Sequence, residues 1–130
     1  MSTFVLDTHT LVWYLDGDKR LSKAAEAAMD DPTASLVIPT VVLAEVRYLF
    51  RKRRIPVSFG EVVAAIEHDP RCVVYPFDFA CVEAMDERLN LHDAIIAATA
   101  VVFRNSVDAS TALVTRDQEV RDAGVVKTLW

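Results

Sequence analysis

Thr3-Phe4-Val5-Leu6-Asp7-Thr8 is the stretch whose reading decides the fold. Phe4, Val5 and Leu6 are three consecutive apolar residues, so neither face of an extended run would suit water. That pattern predicts a central strand of a parallel sheet, covered on both sides. The run ends on a carboxylate and a hydroxyl, Asp7 and Thr8. Open α/β sheets bind their ligands at the carboxyl ends of the strands. Asp7 therefore carries two readings. It caps the turn into the next helix, helped by the Thr8 hydroxyl, or it is an acid presented to a ligand.

Outward from this strand, apolar runs of strand length alternate with helical periodicity, the order of an α/β domain. Thr10–Leu15 predicts a short helix ended by Asp16-Gly17-Asp18, and Ser22 caps a second helix that Asp30-Asp31-Pro32 stops. Leu36–Ile38 predicts the second strand. Thr40–Lys52 follows as an apolar helix with Val42, Val46, Leu49 and Phe50 in one stripe. Ser58-Phe59-Gly60-Glu61 is a capping box for a helix through His68. Cys72–Tyr75 predicts a third strand, and Asp78 caps a helix carrying Val82, Met85 and Leu89. Ala94–Phe103 is apolar nearly all round, as a helix packed deep against a sheet would be. Ala112–Val114 predicts a strand, Gln118–Ala123 a helix stopped by Gly124, and Val125–Leu129 a last strand. No repeat or linker interrupts residues 1–130, so a single domain is expected.

A chain of 130 residues can bury a real core, and its 52% hydrophobic and 25% charged composition is that of a globular protein. The net charge of −5 argues against a general nucleic-acid binder. A partner of that kind would need a local basic patch or bound cations. Two cysteines, Cys72 and Cys81, do not make a disulfide framework or a zinc site. With no export signal and no membrane-spanning run, a cytoplasmic protein is expected.

Four of the nineteen acids stand apart. Glu45 lies three residues after Val42 and four before Leu49, on a helical face shared with core residues. A carboxylate there needs a cation or several donors, an arginine partner being the plain structural option. Asp93 stands at the mouth of the most apolar helix, and Asp117 follows the strand ending at Val114. Taken singly, Asp93 and Asp117 are helix caps. Taken with Asp7, they put three acids at strand exits or helix mouths on one edge, with Glu45 on a helix facing it. Converging carboxylates repel one another unless a cation neutralises them, and hard oxygen donors select Mg²⁺ or Mn²⁺. His9 and His92 are neighbours of Asp7 and Asp93 in sequence, without metal-binding spacing.

Four segments in order carry a resemblance: Leu6-Asp7-Thr8, Pro39–Val46 around Glu45, Asp93–Ala100, and Leu113-Val114-Thr115-Arg116-Asp117. Over essentially the whole chain they resemble a PIN domain, and more narrowly the VapC toxins of type II toxin–antitoxin systems. The resemblance implies a three-layer α/β/α sandwich around a mostly parallel sheet. It also implies a Mg²⁺- or Mn²⁺-dependent endoribonuclease that leaves 5′-phosphate and 3′-hydroxyl ends. Asp7, Glu45, Asp93 and Asp117 would be the catalytic, metal-binding quartet, supported by Thr8 and Thr115. The chain departs from the family pattern at His9, where Asn or Ser is common, and at Ala94, where one subgroup carries Arg.

The resemblance further implies an RNA substrate, a cognate antitoxin and a homodimer. The one dense basic run, Arg47, Arg51, Lys52, Arg53 and Arg54, is either an RNA grip or a solvated helix end. Apolar residues within Leu11–Leu15 and Val62–Ile66 would suit an antitoxin, a second copy or the core. Two rivals are set aside on residues. A haloacid-dehalogenase-type phosphatase fits Val5–Thr10 but needs an acid where His9 stands, and it lacks a late Lys before an acidic pair. A non-catalytic binding module would be marked by a missing acid, and all four are present.

Overall fold

The computed structural model describes residues 2–130. Five strands form one sheet: β1 (Thr3–Leu6), β2 (Ser35–Pro39), β3 (Cys72–Tyr75), β4 (Ala112–Val114) and β5 (Thr128–Leu129). Their spatial order is β3-β2-β1-β4-β5, and every pairing is parallel. Between them run α1 (Thr8–Asp16), α2 (Lys23–Asp30), α3 (Thr40–Arg51), α4 (Phe59–His68), α5 (Phe79–Glu83), α6 (Leu91–Ser106) and α7 (Gln118–Ala123). β1 is the central strand, with Phe4 opposite Leu36 on one side and Ala112 on the other. Val5 and Leu6 are fully buried, as the unbroken apolar run requires.

The chain moves outward from β1 through β2 to β3, then returns across β1 to place β4 and β5 on the other side. Connections that run in two opposite directions from β1 place helices on both faces of the sheet, as right-handed crossovers do, which gives the three-layer α/β/α sandwich. The reversal also leaves a switch point between β1 and β4, where successive connections depart in opposite directions. Asp7 follows β1 there, and Thr115-Arg116-Asp117 follows β4.

Local signals set most boundaries. Gly17 and Gly124 end α1 and α7 in the left-handed region, at φ 65° and 64°, where a side chain would strain the backbone. Ser22 caps α2 through the Ala25 amide, and Ser58 with Glu61 closes the capping box of α4. α6 buries Ala94 through Ala100 and Phe103, as its apolar girth predicts.

Three expectations change, and one open reading is narrowed. Val42 and Val46 are fully buried, but Phe50 is 43% exposed: α3 has run past the core by its last turn. The helix capped by Asp78 stops at Glu83 rather than continuing to Leu89. Asp86 takes the Arg88 amide and guanidinium into a local turn, and such a side chain competes with helical bonding. The last strand is only Thr128–Leu129: the Thr111 amide bonds the Asp108 carbonyl, and the Val125 carbonyl accepts the Arg104 guanidinium. Finally, Leu11, Val12, Trp13 and Val62 are core, while Tyr14, Leu15, Val63, Ala65 and Ile66 are half-buried. Among the described residues, no helix is long and apolar enough to cross a membrane.

Candidate functional site

A cleft of about 730 Å³ opens at the switch point, lined by residues from the starts of α1, α6 and α7 and from α3. Asp7, Glu45, Asp93 and Asp117 all line it, with Glu119 as a fifth acid. Each acid is held by its own local structure.

Asp7 caps α1: its Oδ1 accepts the Thr10 amide at 2.9 Å. The Thr10 hydroxyl donates to the Val114 carbonyl at 2.9 Å, tying the start of α1 to the end of β4. Asp117 caps α7, with Oδ1 accepting the amides of Glu119 and Val120. The buried Thr115 hydroxyl accepts the Asp117 amide at 3.1 Å and sets the turn between β4 and that cap. Capping and facing the cleft are therefore compatible, because each cap uses one oxygen of two. Asp93 is not a cap. Asn90 caps α6, and its side-chain amide also donates to Asp93 Oδ2 at 2.8 Å. Glu45, partly exposed from α3, has no arginine partner among the described residues: the buried Thr8 hydroxyl donates to Oε1 at 2.9 Å, and His92 Nδ1 lies 3.5 Å from Oε2.

Burial raises the Asp93 carboxyl above its ordinary range. The Asp117 charge adds to the rise, the Asn90 hydrogen bond opposes it, and the charges of Asp7 and Glu45 add smaller increments. All four acids therefore share one electrostatic environment. Among the described residues the remaining ion pairs, Arg20–Asp18, Arg71–Asp69 and Arg88–Asp86, leave Asp7, Asp93 and Asp117 unneutralised.

The donors are hard oxygens, which suits Mg²⁺ or Mn²⁺. Among the described residues, no three His, Cys, Asp or Glu side chains stand close enough together to hold one metal ion. The acids therefore fit only an ion that keeps most of its water. Mg²⁺ gives up water reluctantly and commonly binds through one or two carboxylates with its remaining positions aquated. The thiols play no part: Cys81 is buried, and burial pushes Cys72 up to about 11.

Arg47, Arg51, Arg53 and Arg54 do not line the cleft; the Arg47 guanidinium lies 5.0 Å over the Phe59 ring. The cleft's cationic side chains are Arg20 and Arg116, joined on its wall by Trp13, His9 and His92. Asn90, three residues before Asp93, was legible as a helix-cap spacing. Arg20 and Trp13 gave no such signal, because only the packing of α1 against the β4–α7 turn brings them to the site.

A PIN domain family model matches residues 4–126. Among solved structures, the chain is similar to a chain of VapBC2 from Rickettsia felis bound to a DNA fragment from their promoter. The TM-score is 0.65 at 16% identity, over 98% of this chain and 97% of that one. No curated protein sequence matches the chain.

Proposed function

The chain belongs to the PIN domain family, and from that premise we propose that it is a metal-dependent endoribonuclease, the toxin of a toxin–antitoxin pair. The observation that supports this most is the convergence of Asp7, Glu45, Asp93 and Asp117 in one cleft, three of them without an ion-pair partner among the described residues. Repulsion of that kind is maintained at a stability cost, and a bound divalent cation would relieve it.

When bound, Mg²⁺ or Mn²⁺ supplies polarisation of a phosphoryl oxygen, a lowered pKa for water and stabilisation of the leaving oxygen. Asp7, Glu45 and Asp93 would hold it, through its bound water where they do not reach it directly, with Asp117 completing the set or orienting water. The chain's other residues keep those acids in place: Thr8 orients Glu45, Asn90 orients Asp93, and Thr115 sets the turn that delivers Asp117. The reaction is hydrolysis of an RNA phosphodiester by in-line displacement, leaving a 5′-phosphate and a 3′-hydroxyl. The basic run from Arg47 to Arg54, exposed except for Leu49 and continuing past the Glu45 helix, offers the RNA backbone a second contact outside the cleft. The similar Rickettsia felis structure is of a VapBC complex, and an antitoxin partner is proposed for this chain by analogy, with a homodimer and a cytoplasmic setting.

The test is RNA cleavage by purified, antitoxin-free protein in Mg²⁺ and in Mn²⁺, beside p-nitrophenyl phosphate hydrolysis. Cleavage abolished by EDTA and by Asp7→Asn is expected. Failure to cut any RNA in either metal would overturn the proposal, and phosphatase activity in its place would restore the dehalogenase-type reading.

A further inference from the structure

We infer that Arg116 is the residue that takes hold of the RNA phosphate backbone at the mouth of the acidic cleft. The inference rests on the ribonuclease reading above and adds the substrate contact that the reading lacks. A polyanion entering a cleft lined by five acids meets repulsion before it reaches any bound cation. The chain's net charge of −5 gives no compensating long-range attraction. Some cation on the cleft wall must therefore meet the backbone, and the lining contains two that are charged at every working pH, Arg20 and Arg116.

The two arginines are not equivalent. Arg20 is already committed: Nε and Nη2 donate to the two oxygens of Asp18 at 3.1 and 2.8 Å. Arg116 is exposed and, among the described residues, has no carboxylate or carbonyl partner, although Asp117 is next to it in sequence and Glu119 lines the same cleft. Its guanidinium lies over the Trp13 ring instead, 5.8 Å from the centroid, with the Arg20 guanidinium 4.9 Å from the same ring. A cation–π contact at that distance draws the guanidinium to the ring face and leaves its N–H donors unspent. Trp13 is itself immobilised, 8% exposed and packed edge-on against Trp130 at 5.8 Å. Arg116 thus lies over Trp13, charged and, among the described residues, unpaired, one residue from Asp117. A guanidinium presents paired donors that match two phosphate oxygens. This places a backbone phosphate beside the scissile one on Arg116, while Arg20 screens the Asp18 carboxylate.

The experiment compares wild type, Arg116→Ala and Arg116→Lys in steady-state cleavage of bulk transfer RNA and of a mixed-sequence single-stranded RNA, between 50 and 200 mM salt. For Arg116→Ala, KM is expected to rise about tenfold on both RNAs, with kcat within about twofold. The slope of log KM against log salt should become shallower by about 0.7, the loss of one phosphate contact to a single strand. Arg116→Lys should keep the salt slope but recover only part of the KM, having lost the paired donors of the guanidinium. The Mg²⁺-induced rise in Tm should match wild type in both variants, showing Asp117 undisturbed. Unchanged KM and salt slope would overturn the inference while leaving the ribonuclease reading intact. So would a fall in kcat at unchanged KM, or a loss confined to one RNA, which would mark base reading. A wild-type chain that neither binds nor cuts RNA would overturn both.

Discussion

Asp7 accepts the Thr10 amide on one carboxylate oxygen, and Asp117 accepts two amides on one of its own, so each helix leaves the acid's second oxygen unused. Cap and charge can therefore be separated by substitution. Asp7→Asn and Asp117→Asn keep an oxygen for the cap and lose the charge; in metal-free buffer their Tm should equal or exceed wild type. Asp7→Ala and Asp117→Ala should lose about 1 kcal/mol by removing the cap. All four should reduce RNA cleavage by more than the roughly 10–100-fold typical of residues that only orient a ligand. An active Asp7→Asn enzyme would reduce Asp7 to a cap. Asp93 makes a pH prediction. Its folded pKa is raised, so the stability tied to its proton is fully present below the ordinary carboxylate pKa and is lost as pH rises through the raised value. In EDTA, Asp93→Asn should melt above wild type at neutral pH, and the advantage should fade below about pH 4. A difference constant across that range would contradict the shared electrostatic environment of the four acids.

The elements that carry these residues were largely visible as periodicity and punctuation. β3, β4, α4 and α7 fall at the expected residues, because their ends are marked by local chemistry: Ser58 with Glu61, Pro76, Thr115 before Asp117, and Gly124. Boundaries were missed where side chains engage the backbone beyond the helix and strand pattern. Arg104, twenty-one residues away, takes the Val125 carbonyl before the short β5, and Arg88 with Asp86 forms a local turn after α5. Arg71 is another such tie, donating to Asp69 and to the carbonyls of Met29 and Asp31, which fastens the entry of β3 to the end of α2. Its guanidinium holds the Asp69 carboxyl below the usual range. A depressed folded pKa contributes stability that is present above the unfolded carboxylate pKa and lost as pH falls through the folded one. Arg71→Ala should cost roughly 1–3 kcal/mol at pH 7 in urea unfolding, and less at pH 3. An equal penalty at both values would assign the whole effect to the two carbonyl bonds.

Across the whole molecule, the proposed metal site, with five acids in one cleft and a net charge of −5, would make the protein's stability a readout of cation binding. Mg²⁺ or Mn²⁺ should raise the Tm in proportion to the logarithm of its concentration above the dissociation constant. Replacing Asp7 and Asp93 by Asn together should abolish the rise; a rise that persists would place the cation elsewhere. The sequence by itself determined the α/β class, the central position of β1 and the identity of the four acids. These depend on short-range facts: an unbroken apolar run, helix periodicity, and acids placed where strands or helices end. Tertiary structure alone decided their company. The strand order β3-β2-β1-β4-β5 brings the end of β4 beside that of β1, and with it Arg116 onto Trp13 and Thr8 onto Glu45. Residues 37 or 103 positions apart share no local pattern, so their meeting is a property of the packed chain.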